Sequence, residues 1–126
     1  MLPRSLFTEN APRPVGPYSQ AVECGELIFI SGQIPLDPIR GSVLGENTEE
    51  QARAALINLK ALLSSQGLGP RSLVKTTVFL RHMEQFPIFN EVYQKELEGV
   101  IAARSVVEVS SLPKGVLVEI EAVACR

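Results

Sequence analysis

At 126 residues, with 45% apolar side chains, the chain is long enough to bury one core and too apolar for disorder. Charged residues make up 21% and the formal net charge is −2, which excludes the basic field expected of a nucleic-acid binder or a ligand for anionic membranes. Cys24, Cys125 and the lone His82 have no metal-ligand spacing, so the thiols read as free in a reducing compartment.

Residues 1–10 carry Arg4 and Glu9 without a signal-peptide apolar core, and no later apolar run approaches membrane-spanning length, so the expected location is cytoplasmic, off the membrane. Pro12, Pro14, Gly16 and Pro17 make residues 8–20 a stiff arm. A hairpin follows, with strands Gln20–Glu23 and Leu27–Gln33 around a turn at Cys24-Gly25-Glu26. Pro35, Asp37, Pro38, Gly41 and Gly45 mark a loop of about a dozen residues, longer than usual and therefore suspected of function.

Thr48 and Gln51 stand at capping-box spacing, and Ala52, Ala55, Leu56, Leu59, Leu62 and Leu63 recur on one helical face until Gly67 stops it. Leu73–Met83 alternates as a strand with Val74, Thr76, Val78 and Leu80 on one face. Pro87 opens a poorly capped second helix with Phe89, Val92, Tyr93 and Leu97 on its inner face, a Glu91–Lys95 pair and a stop at Gly99.

Two strands, Ala103–Val109 and Val116–Ala122, flank a turn-forming segment and finish the chain. The order strand, strand, helix, strand, helix, strand, strand predicts one α+β domain over residues 1–126, a mixed sheet with two helices on one face. Several strands are apolar on both faces, as in Leu27/Phe29 against Ile28/Ile30, so the bare face predicts a homo-oligomer with sheets facing one another and sites at the seams.

Arg104, Val106 and Glu108 share one face of their strand, and Leu117, Glu119, Glu121 and Val123 share one face of the last. A guanidinium in an apolar strand needs a partner. That partner is either Glu108, Glu119 or Glu121, or the carboxylate of a bound molecule, for which the planar Arg fork is suited. Glu119 reads as a base or water-positioning group, or as one of two acids on a solvated face. Tyr18 is a candidate rim hydroxyl, Ser31-Gly32 a strand end that admits a ligand to the backbone, and Asn90 a helix amide facing substrate or water. His82 lacks triad spacing, and no phosphate loop or metal-ligating pair is present. By elimination, any chemistry is cofactor-free and uses Arg, Glu, Ser, Tyr and Asn.

Thr8–Pro12, Gly16–Ala21, Ser31–Pro35, Asn90–Tyr93, Ala103-Arg104-Ser105 with Val107–Val109, Leu112–Lys114 and Val118–Ala122 together resemble the RidA (YjgF) family of reactive intermediate deaminases, in family order from Thr8 to Val123. The resemblance implies a chorismate-mutase-like α+β fold, a homotrimer and active sites in its inter-subunit clefts. It also implies hydrolysis of 2-imino acids, released from pyridoxal-phosphate enzymes, to 2-oxo acids and ammonia. By position, Arg104 would bind the substrate carboxylate and Glu119 orient water, with Tyr18, Ser31, Gly32 and Asn90 lining the cleft and a backbone contact at Val106. Val106 departs from the cysteine of many members, and Ile101-Ala102 from an aromatic-Pro pair. Other relatives act as regulatory or chaperone modules, or as endoribonucleases that inhibit translation; the net charge of −2 argues against the last.

Overall fold

The computed structural model describes residues 2–126, and its elements follow the hydrophobic periods of the chain. In chain order they are β1 (Arg4–Leu6), β2 (Ala21–Cys24), β3 (Leu27–Gln33), α1 (Thr48–Ser65), β4 (Leu73–Leu80), α2 (Phe86–Glu96), β5 (Ala103–Glu108) and β6 (Val118–Cys125). The six strands form one mixed sheet in the order β1-β2-β3-β6-β4-β5. Only β4 and β5 run parallel, and α2 supplies the crossover that a parallel pair requires. The α+β expectation holds. The sequence reading has no β1, because Arg4-Ser5-Leu6 is short and lacks β-branched residues; pairing with β2, Leu6 opposite Ala21, makes it a strand.

Local chemistry corrects several boundaries. The cap of α1 is Asn47, whose side chain accepts from the Glu50 amide at 2.9 Å, and not Thr48. Gln51 is instead turned toward the sheet, accepting from Leu117 N and donating to Gly45 O. Gly67, at φ +72, lets Leu68 N return to Leu63 O and so ends α1 as the sequence predicts. At the end of α2 two successive residues are left-handed, Glu98 at φ +57 and the predicted stop Gly99 at φ +73. The expected Glu91–Lys95 pair does not form, and Glu96 instead takes Lys60 of α1 at 2.9 Å, tying the helices together. A register shift between Leu73 and Lys75 leaves Val74 exposed, off the inner face of β4 assigned to it.

Both helices cover one face of the sheet. The predicted stripes, Ala52, Ala55, Leu56, Leu59, Leu62 and Leu63 on α1 and Phe89, Val92, Tyr93 and Leu97 on α2, are all buried. They meet Ile28, Ile30, Val78, Leu80, Val118 and Ile120 in one core, burial worth about 1.5–3 kcal/mol for each large side chain. Among the described residues, no buried side-chain polar atom lacks a hydrogen bond. Among the described residues nothing covers the opposite face: Phe29 is 46% exposed and Val107 42%. Polar residues cross it as well, Glu121, Thr77 and Ser105 lying side by side on β6, β4 and β5, so it is less uniformly apolar than expected.

Candidate functional site

The predicted site residues fall into two groups. Tyr18, Ser31, Gly32 and Glu119 line one cavity of about 450 Å³ between the proline-rich arm, β3 and β6. The arm is held there by a residue the sequence reading did not single out. Gln20, 2% exposed, accepts from Thr8 N at 2.7 Å and donates to the carbonyls of Thr8, Ala11 and Pro12. The Ser31 hydroxyl donates to Ser19 O at 2.6 Å, so it fastens the arm to β3. Tyr18, between these anchors, stays half exposed, with its hydroxyl accepting a long 3.4 Å contact from Val15 N. The suspected long loop contributes Ile34 and Leu36, whose carbonyls accept from the buried Asn58 amide.

Glu119 alternates between the buried Val118 and Ile120 and therefore points away from the helices. Its carboxylate lies directly over Gly32, where a Cβ would overlap Oε2. Gly32 belongs to the irregular register between Ile30 and Gln33, a bulge that lets strand and carboxylate approach. Half-burial pushes the Glu119 carboxyl above its usual range, and the Glu121 charge pushes it further.

Arg104, Asn90 and Val106 stand elsewhere, on the helix side of the edge strand β5 and on α2. Arg104 Nη1 donates to Asn90 Oδ1 at 2.9 Å. The guanidinium lies 4.8 Å from the Tyr93 ring centroid and 5.5 Å from that of Phe86, so two aromatic faces bracket it. Tyr93 is fixed in turn by a 2.7 Å hydrogen bond between its hydroxyl and buried Thr76. Val106 packs half-buried against the core. Phe86, Tyr93 and Thr76 escaped the sequence reading because they look like core; only the pairing of Thr76 with Arg104 across β4 and β5 reveals them.

No Asp or Glu among the described residues forms an ion pair with Arg104, so Glu108, Glu119 and Glu121 are not its partners. Nor can Glu119 reach it within one chain. Arg104 pairs with Thr76 and Thr76 with Ala122, three residues along β6 from Glu119. Two strand spacings and that offset separate the Cα atoms by roughly 14 Å, with the side chains on opposite faces. Among the described residues, no three metal-ligating side chains gather, and no helix is long and apolar enough to cross a membrane.

The model of a family described as Endoribonuclease L-PSP matches residues 8–126. A RutC family protein of Pyrococcus horikoshii is 48% identical over 96% of each chain. The 2-iminobutanoate/2-iminopropanoate deaminase of Salmonella typhimurium is 44% identical over 98% of each. Among solved structures, E. coli TdcF with bound serine superposes at a TM-score of 0.91, with 40% identity over 98% of both chains.

Proposed function

The chain belongs to the Endoribonuclease L-PSP family, the YjgF/RidA family, and within it we propose that the chain hydrolyses reactive 2-imino acids to 2-oxo acids and ammonia, as a cofactor-free homotrimer whose sites join two subunits. One observation carries the reading: a half-buried guanidinium, bracketed by Tyr93 and Phe86 and oriented by Asn90, has no carboxylate of its own chain. Its Nη2 and Nε are left without a hydrogen-bond partner among the described residues, and a small carboxylate fits that fork. The name of the Salmonella relative and the serine bound to TdcF support a small acid as that anion.

Opposing the bare sheet faces of neighbouring subunits covers Phe29 and Val107, and brings one chain's edge strand β5 toward another's Glu119 cavity. Arg104 then holds the substrate carboxylate while Glu119 orients a water toward C2. The water oxygen bonds to C2 as the C=N π pair moves to nitrogen, and Glu119 takes the water's proton. Returning that proton to nitrogen completes the carbinolamine. Glu119 then takes the hydroxyl proton, the freed O–H pair forms the carbonyl as the C–N bond breaks, and the same proton passes to the departing nitrogen, which leaves as ammonia. An imine carbon is already electrophilic, so positioning and proton transfer suffice. The raised affinity of Glu119 for protons makes it a stronger base than an ordinary carboxylate.

The test follows 2-oxo acid release from 2-iminobutanoate generated in situ. Acceleration over buffer, lost in Arg104→Ala, supports the reading; decay no faster than in buffer overturns it.

A further inference from the structure

We infer that Arg13 forms a second anion subsite in the Glu119 cavity, which selects 2-imino acids whose side chain ends in a carboxylate. The inference rests on the imine-hydrolase reading and names its substrate class. Arg13 is the one cation among the residues lining that cavity, whose other charges are Glu119 and Glu121. Pro12, Val15, Ile34, Leu36 and Pro113 make much of the remaining wall apolar. A neutral imine needs no cation there. The α-carboxylate is already assigned to Arg104, so Arg13 answers to a charge farther out on the substrate.

The arm presents this side chain in a fixed place. Arg13 stands between Pro12 and Pro14, and a residue before proline is held to extended backbone. Gln20 pins the Ala11 and Pro12 carbonyls immediately before it, at 3.1 and 2.9 Å. The guanidinium rests on the Phe7 ring, 5.1 Å from its centroid. Among the described residues its one ion-pair partner is Glu9 at 3.7 Å, with side-chain exposures of 70% and 81%. Such an exposed pair is worth about 0–1 kcal/mol, so an incoming carboxylate can displace it. The result is a cation on a pinned backbone, with a weak, exchangeable partner, carried by a residue that lines the hollow with Glu119.

The test compares 2-iminoglutarate with 2-iminobutanoate, both generated in situ from the amino acids, for the full-length protein and Arg13→Gln. Loss of kcat/KM at least about tenfold greater for the dicarboxylic imine is expected, with partial recovery in Arg13→Lys and a smaller difference at high salt. Equal losses for both imines, or none, overturn the subsite. If the unaltered protein accelerates neither imine, the hydrolase reading is what has failed. Calorimetric binding of 2-oxoglutarate and pyruvate then decides the subsite alone: selective weakening of 2-oxoglutarate in Arg13→Gln sustains it, and unchanged preference removes it.

Discussion

The two halves of the candidate site differ in what they lack. Around Arg104 a cation is oriented by an amide and two aromatic rings, with no carboxylate of its own chain beside it. Around Glu119 a carboxylate is pressed into a glycine bulge beside another acid, and burial favours its protonated form. Each half lies ready for the charge the other carries, yet they occupy opposite faces of one sheet. Under the proposed function a single chain holds the components of a site without holding the site, and the bare face becomes part of the proposed chemistry.

The sharpest break comes at Glu119. Glu119→Gln keeps the shape and removes the base, so kcat for imine hydrolysis should fall by about 10²–10⁴-fold. Because the carboxyl is raised above 4.5, the folded state holds its proton more tightly than the unfolded chain. Its contribution to stability is full below that value and is lost as pH rises through the folded pKa. Glu119→Gln should consequently melt at or above the wild-type temperature at neutral pH, and wild-type activity should climb as pH rises through the same window. A variant that loses activity and melts much lower would mark Glu119 as structural.

Arg104→Lys keeps the charge but not the fork, and should cost about 100-fold in kcat/KM. Gly32→Ala tests the other half without touching an ionisable group. Its Cβ displaces the Glu119 carboxylate, so a loss of about tenfold or more with the fold retained is expected by kinetics and circular dichroism. Asn90→Asp gives Arg104 an acid of its own and should raise KM about tenfold while changing kcat less. The smallest effect on activity belongs to Gln20→Ala, which unties the arm and should cost about 1–3 kcal/mol of stability in denaturant unfolding.

The periodic parts of this fold were open to reading. Leucine and alanine at helical spacing on α1 and alternation on β4 and β6 place the core face, because burial follows the repeat of the backbone. What periodicity does not carry is a bond between distant residues. Gln20, next to the prolines, gives no local sign that it gathers three carbonyls. Tyr93 reads as an inner-face aromatic, and its place under Arg104 emerges only when β4 and β5 pair in parallel. Val74 satisfies the strand alternation and is nonetheless exposed, since a bulge shifts the register. Arg104 and Glu119 were recognisable as charges out of place in apolar strands. Their separation was not, because it depends on the order of strands in the sheet.

Complementation between inactive chains is the most direct test of a shared site. Co-expressed Arg104→Ala and Glu119→Gln chains, each inactive alone, should yield a trimer population with about a quarter of wild-type activity, since each seam draws its arginine and its glutamate independently. Mixed oligomers with no recovered imine hydrolysis would contradict a site divided between subunits.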